Sequence, residues 1–183
     1  MTICVNMFAG AGAGKSTMAT TLFGLLKHHG VNCEYVSEYA KTLAYSGRLN
    51  LKPLNQLKIF ANQHERQFIL NNKVDVIITD SPLPLSTVYN TEHNNLFNAL
   101  VLHEFRKYDN INFYIKRIKE FIQNGRKGSK RDATEIDKKT LKMLENEQIP
   151  FKIINCSWKG LNSMLSIVIK RLNIEQKYKI CRV

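Results

Sequence analysis

The chain has 183 residues, 44% of them hydrophobic and 23% charged, with a formal net charge of +12, a balance typical of a globular domain in water and unlike that of a disordered or membrane-embedded chain. One domain with one substantial core is expected at this length, and the lack of an apolar run of about 18 residues or a basic, cleavable leader predicts a cytoplasmic protein with no membrane partner. Cys4, Cys33, Cys156 and Cys181 show no Cys-x-x-Cys spacing, so neither a metal site nor a disulfide framework is implied.

In chain order, the apolar run Ile3 to Phe8 reads as a strand and Thr17 to His29 as an amphipathic helix. Between them lies Ala9-Gly10-Ala11-Gly12-Ala13-Gly14-Lys15-Ser16-Thr17, a glycine-rich turn ending in Gly-Lys-Ser. A strand, such a turn and a helix in succession cradle nucleotide phosphates: backbone N–H groups turn inward and the helix start adds partial positive charge. Lys15 is then placed to reach the β- and γ-phosphates and Ser16 to hold Mg²⁺, so ATP and Mg²⁺ are the expected cofactors and residues 10–17 their cradle. Ala9 stands where the usual pattern begins with glycine, a small departure that only requires negative φ there. A dinucleotide fingerprint beginning at Gly10 and Gly12 fails, because its third glycine would fall on Lys15.

Cys33 to Val36 reads as a short second strand, after which Ser37 is expected to cap a helix that Gly47 ends. Pro53 introduces a longer helix to about Asn71, with Gln63, Glu65 and Gln67 on its polar face. The β-branched run Val74 to Thr79 has the character of a strand buried between helices, and it ends in Asp80-Ser81-Pro82. A loop, a helix over roughly 94–107 and a strand over 111–115 follow. Residues 116–130 are basic and interrupted by Gly125 and Gly128, which predicts a mobile lid over about 116–131; a helix over 134–146, a strand over 151–154, a helix over 158–172 and a basic tail complete the chain.

Strands alternating with helices predict an α/β fold: a three-layer P-loop sandwich with a five-stranded parallel sheet and helices on both faces. Ligands gather at the carboxyl ends of such strands, which gathers the loop, Glu38 and Asp80 on one edge. This is the equipment of a kinase. Glu38 is the candidate base for an acceptor hydroxyl, Ser16 and Asp80 the candidate Mg²⁺ ligands, and Arg117, Arg126 and Arg131 the candidate lid cations. Tyr39, Gln63, Gln67 and Tyr89 are candidates to read or stack on the acceptor.

Two other readings of the loop are weaker. Asn72-Lys73-Val74-Asp75 spells a guanine-reading pattern, but it precedes the strand ending at Asp80 rather than following a later one. Ring-forming ATPases pair two acids at the end of that strand, whereas Asp80 is followed by Ser81.

The set Gly14-Lys15-Ser16-Thr17, Ser37-Glu38-Tyr39-Ala40, Gln63 with Glu65, Thr79-Asp80-Ser81-Pro82 with Tyr89, and Gly125-Arg126 followed by Ile136-Asp137 resembles the small P-loop kinases related to the ribosylnicotinamide kinase half of NAD-salvage regulators. Bacteriophage kinases that phosphorylate hydroxymethyluracil in DNA resemble the same group. The resemblance implies Glu38 as base or hydroxyl contact, Asp80 as the Mg²⁺-associated acid and Arg126 as a lid cation. The chain departs from it in lacking an adenylyltransferase segment and in having Ser81 where many relatives have arginine.

Charge bears on the acceptor. Residues 116–142 hold ten Lys and Arg against four Asp and Glu, and residues 170–183 hold five against one, so ten of the twelve excess charges lie in two short stretches. With the phage resemblance, that distribution favours modified DNA as the acceptor partner and phage-encoded action in a host cytoplasm. A free nucleoside or nicotinamide riboside, or a nucleic-acid-stimulated ATPase with no acceptor, are the alternatives. A homodimer is compatible with all three.

Overall fold

In a computed structural model of the chain, residues 1–47, 55–91, 94–118 and 130–174 are described, Lys130 by its backbone alone. The strands are β1 (Ile3–Phe8), β2 (Cys33–Val36), β3 (Val76–Thr79), β4 (Asp109–Lys116) and β5 (Lys152–Asn155). The helices are α1 (Lys15–His28), α2 (Tyr39–Tyr45), α3 (Gln56–Phe68), α4 (Leu85–Val88), α5 (Asn95–Phe105), α6 (Lys130–Asn146) and α7 (Trp158–Leu172). All strand pairs are parallel, in the order β2-β3-β1-β4-β5. The expected sheet and sandwich are therefore present.

Side chains along β1 alternate between two cores, because successive residues of a strand face opposite sides. Val5, Met7 and Ala9 pack with Leu22 and Leu26 of α1 and Met164, Leu165 and Val168 of α7. Cys4 and Phe8 pack on the other face with Phe60 of α3, Val101 and Phe105 of α5 and Leu144 of α6. Helices cover both faces, so the central strands are mostly apolar, as a doubly covered parallel sheet requires. Thr79 on β3, Asn112 on β4 and Asn6 on β1 are buried polar exceptions, Asn6 at 0% exposure. Its Nδ2 donates to Cys4 O and to Oδ1 of Asn110 and Asn112 on β4, at 3.0, 2.8 and 3.0 Å, which removes the ~1–3 kcal/mol that a stranded buried amide would cost.

From β1 the chain passes to β2 on one side, and after β3 it crosses to β4 on the other. The crevice beyond the carboxyl end of β1 is the switch point where ligands of such sheets bind. The glycine-rich loop occupies that place.

Several local expectations need correction. Asn55 caps α3, its side chain accepting from Lys58 N at 3.3 Å, and the helix stops at Phe68 rather than near Asn71, while Pro53 lies outside the described residues. Ser37 does not cap α2, whose N-cap is Glu38 with no side-chain cap bond of its own. The loop after Pro82 holds the short helix α4, and α6 begins at Lys130, earlier than the periodicity indicated. Gly47 does close α2, at φ 71° with its N–H on Ala44 O. Asn72 to Asp75 precede β3, at the sheet's amino end, where the Asn72 N–H donates to Thr2 Oγ1.

Candidate phosphate and acceptor site

Gly14 carries φ 95° as the N-cap of α1, and no side chain caps that helix. The amide donors of its first turn are thus left to an anion. Gly12 is also left-handed, at φ 77°. Glycine is required at 14 for a second reason: a Cβ there would lie 2.3 Å from Cys156 Sγ, just past β5. Lys15 folds over the loop, donating from Nζ to Ala9 O at 2.8 Å and Gly10 O at 3.1 Å. Ala9 is fully buried at the end of β1, and Thr17 is exposed on the first turn of α1.

Across the loop, Ser16 Oγ donates to Asp80 Oδ2 at 2.5 Å. Asp80 is 2% exposed, and its Oδ1 has no hydrogen-bond partner among the described residues. A buried carboxylate oxygen without a donor, beside a hydroxyl and a phosphate loop, fits a hard cation. No group of three His, Cys, Asp or Glu side chains able to hold a metal exists among the described residues. That donor set suits Mg²⁺, which takes one or two protein ligands and fills its shell from phosphates and water.

Glu38 follows β2 at the sheet's carboxyl edge, half-buried. Its neighbours can be read from the phenols that feel its charge. Burial first, then the Asp80 carboxylate and more weakly Glu38, raises the Tyr35 phenol well above its ordinary range. Desolvation first, then Glu38 and Asp137, pushes Tyr89 up to about 12, although 41% of that residue's surface is exposed. Both phenols are thus held protonated by burial and by the carboxylates that follow β2 and β3 or stand on α6.

The remaining candidates fall into separate places. Gln63, 2% exposed, accepts the Tyr39 N–H at Oε1 (2.9 Å) and donates from Nε2 to Ser37 O (3.3 Å). It supplies from α3 the cap that Ser37 was expected to provide, and it holds the turn bearing Glu38. Gln67 is 1% exposed against the Cys4 thiol, within the core rather than on a substrate surface. Tyr39 lies under the Arg66 guanidinium, 5.1 Å from its ring centroid. Arg117 donates to Ala11 O at 2.7 Å and to Asp137 Oδ2 at 3.0 Å. Arg131 is exposed on α6, in a surface depression shared with Thr134, Glu135 and Lys138. Arg126 and most of the expected lid lie outside the described residues, as does the basic tail beyond residue 174.

Sequence reasoning assigned no role to Tyr35 or Cys156, and it quoted Asp137 only among the residues that carry the family resemblance, without a role. Tyr35 and Cys156 each sit at or just beyond a strand's carboxyl end, a signal that the edge rule already supplied. For Asp137 the signal is helical spacing: Ala133, Asp137 and Thr140 recur on one face of α6.

A family model described as AAA domain matches residues 4–160. The chain belongs to that family. In this AAA domain Asp80 is followed by Ser81, whose N–H turns back to Thr79 Oγ1 at 3.1 Å. Among solved structures, this AAA domain is similar in fold to NadR protein in complex with NAD and AMP-PNP, at TM-score 0.67 and 13% identity over 98% of this chain and 52% of that one. It is likewise similar to NadR protein in complex with NR, at TM-score 0.66 and 16% identity over 97% of this chain and 54% of that one. The chain thus spans about half the length of those proteins. No curated protein sequence matches it.

Proposed function

We propose that the protein is an ATP- and Mg²⁺-dependent phosphotransferase that moves the γ-phosphoryl group to a hydroxyl of a nucleoside-like acceptor. The observation that carries this reading is the Ser16–Asp80 hydrogen bond, with Asp80 buried beside a Gly-Lys-Ser loop, and Glu38 following β2 at the same edge of the sheet. A ring-forming ATPase places its second acid next to the metal acid on the same strand, and here Ser81 stands there instead. The extra carboxylate at the end of β2 is what an acceptor hydroxyl requires.

In this reading Lys15 and the first-turn amides of α1 bind and orient the phosphates, and Ser16 with Asp80 would hold Mg²⁺, which supplies charge neutralisation on the β- and γ-oxygens. Glu38 accepts the hydroxyl proton as the acceptor oxygen bonds to the γ-phosphorus and the bond to the β,γ-bridging oxygen breaks, leaving ADP. Tyr35 and Tyr89 stay protonated at neutral pH and restrict water around the carboxylates.

A small acceptor is favoured by likeness to a fold relative whose structure contains NR. A hydroxymethylated pyrimidine in DNA is the second reading, favoured by the concentration of positive charge in residues 116–142 and 170–183. Incubation with γ-labelled ATP and Mg²⁺, alone and with nicotinamide riboside, free nucleosides or hydroxymethyluracil-containing DNA, is the deciding experiment. Label on an acceptor, lost in Lys15→Ala, is expected. Label appearing only as free phosphate, whatever the acceptor, would replace the kinase with an ATPase.

A further inference from the structure

The outer limb of the phosphate loop is held by a helix that has no part in the loop's own strand-turn-helix unit. Asp137, on α6, accepts the Gly10 N–H at Oδ1 (2.5 Å) and the Arg117 Nη2 at Oδ2 (3.0 Å). Arg117, just past β4, uses its other terminal nitrogen on Ala11 O, at 2.7 Å. The two side chains are 16% and 18% exposed, so this ion pair is largely withdrawn from solvent. Gly10 admits the arrangement because a Cβ there would stand 2.4 Å from Ala133 O on α6. Tyr114, on β4, closes the far side: burial, then the Asp137 carboxylate, pushes its phenol up to about 12.

A negative charge beside a phosphate site should repel the ligand. Here the carboxylate faces a guanidinium and a loop amide, and its contacts fall on consecutive loop residues, the Gly10 N–H directly and the Ala11 carbonyl through Arg117. We propose that Asp137 is a positioning residue for nucleotide binding, which acts through Gly10 and Arg117 to set the loop's outer limb in its phosphate-accepting shape. The proposal rests on the reading of this loop as a nucleotide site. It adds that the site's affinity is set from α6, the helix that follows residues 119–129. A loop pinned before binding forgoes the entropy cost of ordering when the phosphates arrive. The pair is thus expected to act on ATP affinity more than on the chemical step.

The test compares Asp137→Ala, which removes both contacts, with Asp137→Asn, which keeps an amide oxygen for the Gly10 N–H but loses the charge facing Arg117. Hydrogen exchange on the nucleotide-free protein reads the limb directly. Exchange at the Gly10 amide is expected to rise roughly ten- to a hundredfold in Asp137→Ala, the range for a lost hydrogen bond to a charged group, and less in Asp137→Asn. Calorimetric affinity for AMP-PNP should fall in the same order, and the loss in turnover should fall on KM for ATP rather than on kcat. Unchanged exchange at the limb, or exchange raised equally in β3, would overturn the proposal by making Asp137 inert or a general stabiliser. Affinity that is unchanged or tighter beside a loosened limb would overturn it too. A wild-type protein that does not bind AMP-PNP would instead defeat the nucleotide reading, and the exchange measurement would still judge Asp137 as the anchor of Gly10.

Discussion

Asp80 and Glu38 are both carboxylates at strand ends, and their surroundings separate their roles. Asp80 is 2% exposed and has one oxygen committed to Ser16 and the other without a donor among the described residues, a state that a cation relieves. Asp80→Asn should therefore raise the Mg²⁺ concentration for half-maximal activity by roughly ten- to a hundredfold, and an unchanged Mg²⁺ titration would remove Asp80 from the metal site. Glu38 is half-buried at the N-cap of α2, where a base can meet an incoming hydroxyl. For Glu38→Gln we expect ATP affinity to hold while transfer slows by ~10²–10⁴-fold. A variant that loses only thermal stability would reduce Glu38 to a helix-end charge favoured by the dipole.

At the scale of elements, the turn that carries Glu38 depends on a different helix. Gln63 of α3 satisfies the Tyr39 N–H and the Ser37 carbonyl at once, and it has no exposure to spend on a substrate. Gln63→Ala is expected to cost about 1–3 kcal/mol in urea unfolding, since two backbone groups lose a partner, and to lower kcat while sparing KM for ATP. Full activity at that lower stability would show that Glu38 needs no support from α3. Amphipathic spacing put Gln63 on a polar face of its helix, because amide side chains read as solvent-facing. Which polar face meets another part of the chain is not written in a 3.6-residue period. The same gap hid α4, a single turn too short for any period to register. By contrast α7 runs from Trp158 to Leu172, the span expected from the sequence, and the structure adds that the Ser157 side chain caps it by accepting from Gly160 N.

At the scale of the molecule, a small acceptor and a polymer make different demands on the charge. Ten of the twelve excess positive charges fall in residues 116–142 and 170–183, of which 119–129 and 175–183 lie beyond the described residues. If they follow a nucleic-acid backbone, DNA binding should weaken with salt at a log-log slope of roughly −0.9 per phosphate contacted. Replacing Lys177, Lys179 and Arg182 together with Ala should then raise KM for DNA and leave that for ATP near its original value. A salt-independent signal, with free nucleoside labelled efficiently, would assign the charge to the nucleotide or to solvation. Among the described residues, no helix is long and apolar enough to cross a membrane.

The sequence by itself determined the doubly covered parallel sheet, the phosphate loop, and the placing of Glu38 and Asp80 at strand ends. These are local properties: unbroken apolar runs are stable only when both faces are covered, and the glycines of the loop accept backbone angles that side chains resist. Only the tertiary structure decided which partners met there. The Ser16–Asp80 contact spans 64 residues, the Gly10–Asp137 contact 127, and the Ala11–Arg117 contact 106. Each forms because strand order 2-3-1-4-5 brings the carboxyl ends of separated strands, with α6 beside them, to one crevice. Distance along the chain carries no trace of that closeness, since burial and hydrogen-bond satisfaction are decided by the packed fold as a whole.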